Sequence, residues 1–379
     1  MTVSDFEEER LAYLSDAAIP SREANSIQTI KMCEAFAKQG LEVTLFIPNR
    51  PTDEDDDPYE FYDVDRCFEI VRIPWKPGER YLFSLLVPFY VRRFDPDIVF
   101  GRFVPACFFT ALLGYRVVIE SHSPVSETQR PIAWMFRTLL RLNRLEHLIV
   151  ISGALRDHYL LTYDRLSPDD VTVAHDAASE PPDDVESFPF ADSDRLQVGY
   201  VGHLYEGKGM GLIAELIPRC PWADFHIVGG TEEDIERWEH ELEEYENVEF
   251  YGFVPPSAVA RYQLSMDVLL APYQKQVYGS SGETDLSQWM SPLKLFEYMA
   301  AGKVILCSDL PVLREVVTDR ENAILCDPDD VSAWATKLSR ICDESNIINK
   351  LGSTARDDFE TRYTYSSRAE FICSILTDC

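Results

Sequence analysis

The 379 residues predict an α/β protein of two doubly wound, parallel-sheet domains, and three observations carry that prediction. Short β-rich runs alternate with amphipathic helical ones along the whole chain, the pattern of strand–helix–strand crossovers. The length is large for one core and comfortable for two. Residues 176–195 are rich in Pro, Asp and Ser, contain Pro181-Pro182 and show no apolar periodicity, so they read as a linker.

Taken in order, residues 11–16 form the first expected strand. A loop follows, ending near Asn25-Ser26, which can cap a helix running to Gln39-Gly40. Further strands are expected at 43–48, 98–101, 117–121, 148–152 and 171–175, with helices near 81–93, 103–113, 130–145 and 153–161 between them. A fresh α/β unit starts at 196–202 and continues with strands at 224–229, 248–251, 268–272, 304–308 and 323–326. Its helices are expected near 210–218, 232–245, 256–264, 292–301, 329–342 and 355–376. This places a first domain over 1–190 and a second over 191–354, with 355–379 able to pack back onto the first. A ligand is expected between them, at strand C-termini.

Charge narrows the function. Thirty-five basic against 65 acidic residues leave −30, and the basic set is 26 Arg to 9 Lys. Acid excess in both halves with scarce lysine suits a salt-rich cytosol, where screening is short-ranged, and so points to a halophilic archaeal source; the plainer reading is an ordinary acidic protein with one disordered run, Asp53 to Asp57. General nucleic-acid binding, which needs a basic face, is disfavoured. The longest uncharged stretch is the 13 residues between Arg102 and Arg116, against about 20 for a membrane span. Acids fill the first ten residues where a signal peptide is basic and then apolar, so a cytoplasmic protein is expected. Nine scattered cysteines without a C-x-x-C pair suggest reduced thiols, with neither a disulfide framework nor a zinc site.

Two segments of the second half suit a phosphate and a ribose. In Gly199–Gly209 (GYVGHLYEGKG) a strand runs into a glycine-containing loop with Lys208 at the mouth of the next helix. Backbone N–H groups, a helix N-terminus and a lysine together make an anion cradle. The nucleotide-triphosphate loop and the dinucleotide fingerprint are both absent, which disfavours an NAD enzyme. Ser291–Gly302 (SPLKLFEYMAAG) opens another helix, on which Lys294 and Glu297 lie three apart. A glutamate there can accept two ribose hydroxyls. The plainer readings are a tight turn with a solvated lysine and an ordinary surface ion pair.

With Phe225–Gly230 (FHIVGG), Tyr251–Val254 (YGFV) and Asp267–Tyr273 (DVLLAPY) between them, these segments resemble the donor domain of family 4 retaining glycosyltransferases of the GT-B fold. The likeness covers about 196–310 strongly. It is looser in the first half, through Ile19–Lys31, Ile119–Pro124 and Ile149–Leu155. The resemblance implies two facing Rossmann-like domains and a hexosyl transfer from a UDP- or GDP-linked sugar with retained configuration. It implies no metal and no cofactor. Lys208 would hold the diphosphate, with His203 where the family usually has arginine after Gly202. Gly229, Phe253, Val254, Ser291, Pro292 and Leu293 would line the donor site, and Glu297 would bind the ribose. The family's preceding acid is replaced by Trp289, with Glu283 or Asp285 as possible substitutes. His122 would face the donor sugar, and Asn25, Ser26 and Arg102 would lie on the acceptor side.

Residues 71–145 hold 11 basic and five acidic residues, +6 within a −30 chain. Arg137, Arg141 and Arg144 follow at helical spacing beside Trp134, Met135 and Phe136. Such a face suits an anionic membrane and a glycan or polyprenyl-phosphate-linked acceptor, or else a buried helix whose arginines pair with acids. Two other functions fit the architecture. A nucleotide-sugar 2-epimerase would release an altered donor without using an acceptor. A non-catalytic, lipid-associated module would lack the phosphate cations.

Overall fold

The computed structural model describes residues 9–52, 54, 56–77, 81–125, 129–182, 184–190, 193–277, 285 and 287–377. Glu283 lies outside them, as do the first eight residues. Contacts divide the chain into two units, residues 1–177 with 365–379, and residues 178–364.

The first unit opens with β1 (Arg10–Leu14), α1 (Ala24–Lys38), β2 (Glu42–Pro48), α2 (Pro58–Phe61) and β3 (Glu69–Ile73). It continues through α3 (Leu82–Phe94), β4 (Ile98–Gly101), α4 (Val104–Leu112), β5 (Val117–Ser121), α5 (Arg130–Arg141), β6 (Leu145–Val150), α6 (Gly153–Thr162) and β7 (Val171–Val173). The strands form one parallel sheet in the order β3-β2-β1-β4-β5-β6-β7. Its central strands are near-continuous apolar runs because helices cover both faces. Tyr13 on β1, Phe36 on α1 and Phe100 on β4 meet with centroids 5.1–6.3 Å apart and anchor one layer of that core.

The second unit runs β8 (Leu196–Val201), α7 (Met210–Leu216), β9 (Ala223–Val228), α8 (Glu232–Glu241), β10 (Val248–Gly252), α9 (Pro256–Ser265), β11 (Val268–Ala271), α10 (Leu293–Ala300), β12 (Val304–Ser308), β13 (Ile324–Cys326), α11 (Val331–Asp343) and α12 (Ser345–Arg362). Its parallel sheet is ordered β10-β9-β8-β11-β12-β13.

Four sequence expectations change, the first at α1, which begins at Ala24 after Glu23 as N-cap, so that Asn25 and Ser26 lie within its first turn instead of capping it. Strand β3 is missed by periodicity: only Ile73 is buried in it, so the edge strand lacks an apolar signature. The helix expected to 145 stops at Arg141, where Asn143 takes a left-handed turn (φ 51°) into β6. The single helix expected over 355–376 is two, α12 and α13 (Tyr365–Thr377), separated at Tyr363-Thr364. That break is where the chain passes from one unit to the other, and α13 packs beside α1 in the first.

Candidate functional site

Each sheet reverses its strand order once, between β1 and β4 in the first unit and between β8 and β11 in the second. Loops leaving the carboxyl ends of such a strand pair splay apart and leave room for a ligand.

In the second unit the loop after β8 is stitched to its neighbours backbone to backbone. Gly202 N–H donates to the Val228 carbonyl at 2.8 Å, and Gly229 N–H to that of Gly252 at 2.7 Å. Gly229 has φ +110°, and a Cβ there would sit 2.3 Å from the Gly202 oxygen. Across the switch point, Gly209 (φ +98°) lies so close to Pro272 that a Cβ would come within 2.1 Å of its carbonyl oxygen. These glycines answer to close approach as well as to left-handed backbone.

Lys208 leaves this tight loop with its Nζ 5.4 Å from the Tyr273 ring centroid, just past β11. Burial lowers its pKa, and no carboxylate among the described residues offsets that shift. Lys294, on the first turn of α10, reaches the same place. Its Nζ stands 3.5 Å from the Tyr200 ring centroid and 5.6 Å from that of Tyr273. It makes no hydrogen bond among the described residues. Burial, then Lys208, push its pKa well below the ordinary lysine value, with Glu297 opposing. Ring faces attract a cation but accept no conventional hydrogen bond, so the ammonium's donors stay unanswered.

His203 is exposed and stacks on Tyr205 at 4.7 Å. Burial, Lys208 and Lys294 lower its pKa, so near neutrality the imidazole is uncharged. Glu297 follows Lys294 by one turn, and burial raises its pKa against the pull of Lys294 and Gln263. Pro292 is the N-cap of α10, Leu293 its first residue, and Ser291 before them is buried. Phe253, half exposed, and Val254, packed on the core, follow β10. Trp289 is half-buried. Asp285 accepts backbone N–H bonds from Val277 at 3.1 Å and Ser287 at 2.9 Å. That carboxylate therefore ties its own loop down.

In the first unit the sequence-predicted residues gather at the β1–β4 switch and the neighbouring β5. Arg102 follows β4, and its N–H bonds the Leu14 carbonyl at the end of β1 (2.9 Å). His122 follows β5, its Nε2 2.7 Å from Glu120 Oε1 and touched by Arg102 Nη2. Nε2 thus meets an acceptor in Glu120 and a donor in Arg102, and it answers one of them at a time: protonated it donates to the carboxylate, unprotonated it accepts from the guanidinium. Burial, then Arg102, lower the His122 pKa, so its neutral form prevails near pH 7. Asn25 is half-buried on the first turn of α1. Ser26 is buried, donating to the Ala18 carbonyl at 2.8 Å and accepting from Ser21 at 2.9 Å. Its hydroxyl is spent on the loop itself.

Two residues that sequence reasoning passed over complete the picture. Lys294 was visible only as half of a surface pair, and nothing in the sequence says its amine is buried. Arg368, on α13, donates to Glu120 Oε2 (3.2 Å) and to the carbonyls of His175 (2.7 Å) and Ala174 (3.2 Å). Burial pushes the Glu120 carboxyl up, but Arg368 and then Arg102 more than offset it and hold it well below its usual range. Oxygens and nitrogen of Glu120, His122 and Asp176 lie within 4.8 Å of one another. Two buried guanidinium groups already face that cluster, which does not fit a resident cation.

Residues 26–177 match the family model Glycosyltransferase Family 4, and residues 195–344 match Glycosyl transferases group 1. The chain carries the two domains of a family 4 glycosyltransferase. A phosphatidyl-myo-inositol mannosyltransferase of Mycolicibacterium smegmatis is 28% identical over 230 residues, 55% of each chain. The match thus spans about half the length of that curated relative. Among solved structures, HepE of Anabaena in complex with UDP superposes with a TM-score of 0.72 at 13% identity, covering 98% of this chain and all of that one. A sucrose-phosphate synthase from Thermosynechococcus elongatus gives 0.71 at 16% identity, with 98% of each chain covered. At such identities these two show the shared GT-B fold. The family 4 match at 26–177 falls on the first unit and the group 1 match at 195–344 on the second.

Proposed function

We propose that the protein transfers a hexose, with retention, from a UDP- or GDP-linked sugar to a lipid-linked glycan acceptor. One observation carries this reading: Lys208 stands at the β8–β11 switch point, in a loop whose glycines press backbone against backbone, with no carboxylate among the described residues offsetting its charge. A cation held this way in a chain of −30 awaits an anion, and a donor diphosphate supplies one. The UDP-bound neighbour and the mannosyltransferase relative support the same chemistry. In the transfer, the bond between the anomeric carbon and the diphosphate oxygen breaks as the acceptor oxygen bonds the same carbon. The acceptor's hydroxyl proton passes to the departing diphosphate on that face.

The test is a panel of UDP- and GDP-hexoses, read by thermal stabilisation and sugar consumption. A donor at about 100 times its Kd adds roughly 2.7 kcal/mol to stability. An epimerised free donor as product, or no nucleotide-sugar stabilising the protein, overturns the proposal. Within it, Glu297→Gln raises the donor KM while kcat changes little, because ribose hydroxyls do not alter during transfer. An equal fall in kcat and kcat/KM would remove Glu297 from the ribose.

The acceptor's setting is argued from the first unit, where α3, α4 and α5 pack side by side. Leu85, Phe89 and Tyr90 on α3, Leu112 and Leu113 at the end of α4, and Trp134 on α5 are exposed, Phe89 to 67%. Arg92, Arg93, Arg116 and Arg141 are exposed among them. Apolar side chains ringed by arginines, on an otherwise acidic chain, suit an anionic lipid surface. Among the described residues no helix is long and apolar enough to cross a membrane. Arg137 and Arg144, expected on this face, are half-buried, Arg137 over the Tyr163 ring and Arg144 donating to the Gly114 carbonyl. The test therefore falls on exposed arginines: replacing Arg92, Arg93 and Arg141 with Gln weakens flotation with phosphatidylglycerol-containing vesicles by about 100-fold at low salt, from about 1 kcal/mol per charge. Wild-type protein that never floats with such vesicles points instead to a soluble acceptor.

A further inference from the structure

We propose that Lys294 is a second cation for the donor's diphosphate, closing on it from α10 while Lys208 closes from the β8 loop. The inference rests on the donor reading above and adds a residue to it. Nothing in the sequence motif requires an amine here, since a methionine or leucine would fill the same space. Yet the side chain ends in an amine that is buried and hydrogen-bonded to nothing among the described residues. Leaving such a donor unmet costs stability, so it is retained for a partner that the free protein lacks.

The direction of that partner is set by the walls. Tyr200 closes one side at 3.5 Å and Tyr273 another at 5.6 Å. A third neighbour is the backbone of Gly202, where a Cβ would fall 2.8 Å from Lys294 Cε and 2.9 Å from Nζ. The missing side chain at Gly202, a residue with φ +142°, therefore opens the amine towards the loop that carries Lys208. Two cations converge on one small space and no carboxylate forms an ion pair with either among the described residues. A diphosphate, with charge on both phosphoryl groups, answers both at once.

The titratable groups facing Lys294 among the described residues are Lys208 and His203 from the β8 loop, Tyr200 on β8, Tyr273 after β11, and Glu297 on α10. In the free protein burial and Lys208 favour the neutral amine. A bound diphosphate reverses that preference, so binding takes up a proton and weakens as pH rises.

The experiment compares wild type, Lys294→Met and Lys294→Arg by calorimetric titration with UDP, with inorganic pyrophosphate and with uridine. It is run in two buffers of different ionisation enthalpy to count protons. Lys294→Met is expected to bind UDP and pyrophosphate about 10- to 100-fold more weakly, the scale of a charge-assisted hydrogen bond. Uridine binding should stay as it was. Proton uptake on binding should shrink with the variant, and Lys294→Arg should recover part of the affinity. The free Lys294→Met protein should melt no lower than wild type, because an unmet buried donor has been removed. A lower melting temperature with unchanged pyrophosphate affinity would mean that Lys294 merely packs on Tyr200, and overturns the proposal. If wild type binds neither UDP, GDP nor pyrophosphate, the donor reading fails and this assignment fails with it. If wild type binds them and Lys294→Met binds them equally well, only the assignment fails.

Discussion

Lys208→Ala lowers kcat by about 100-fold or more, the scale of losing one preorganised stabilising group. The amine meets negative charge that grows on the leaving diphosphate, so its interaction is stronger in the transition state than in the ground state. Its setting magnifies the effect. Burial has stripped the ammonium of much of its water. Gly207 and Gly209 lie against the backbones of Gln276 and Pro272, where a Cβ would come within 2.1 Å of a carbonyl oxygen, so the loop has no room to drift. A fixed, partly dehydrated cation needs no reorganisation when the bond breaks. The measurement is donor-dependent transfer under saturating donor, or donor hydrolysis where the acceptor is unidentified. Circular dichroism must first show the variant folded. Full kcat in Lys208→Ala would take the 202–209 loop away from the diphosphate.

The strength of that expectation reflects how much of the second unit could be read from its residues. Its inner strands β8, β9, β11 and β12 are buried on both faces, so they appear as apolar runs, and β8 through β12 fall within a residue or two of their expected limits. Lys208 was legible because it sits where strand, glycine loop and helix meet in sequence. Lys294 was not, because a lysine and a glutamate three apart look the same on a solvated helix as beneath the β8 loop. Only the rings of Tyr200 and Tyr273, 94 and 21 residues away in the chain, make the amine a buried one. The first unit was less legible for a similar reason. Its ionic centre joins Arg102, Glu120 and His122 to Arg368, whose helix arrives after the chain has built the entire second unit. Periodicity reports which face of a helix is apolar, and it cannot report an arginine aimed at a carboxylate 248 residues earlier.

Arg368→Ala destabilises the first unit by about 3–5 kcal/mol, the cost of breaking a buried ion pair from one side. Arg368 and Glu120 are 2% and 1% exposed at their side chains, so no water replaces the missing guanidinium. The loss also strips donors from the carbonyls of Ala174 and His175. Arg102 remains beside Glu120 at 3.5 Å but approaches only Oε1. The sign with pH follows from the carboxyl. In the folded wild type its pKa is held well below the ordinary value, so it contributes stability above the unfolded pKa and loses it as pH falls through the folded one. Without Arg368 the folded pKa rises, and acid unfolding should begin at a higher pH. The same loss strengthens the hold of Glu120 on a protonated His122, whose pKa should climb. Because two-unit proteins need not unfold in one step, the reading is amide hydrogen exchange of β5 and α13, with urea at neutral pH and then along an acid series. Arg368→Lys keeps the charge, loses the planar fork and should fall between the two. Exchange of β5 and α13 in Arg368→Ala within about 0.5 kcal/mol of wild type would show that Arg102 alone holds Glu120.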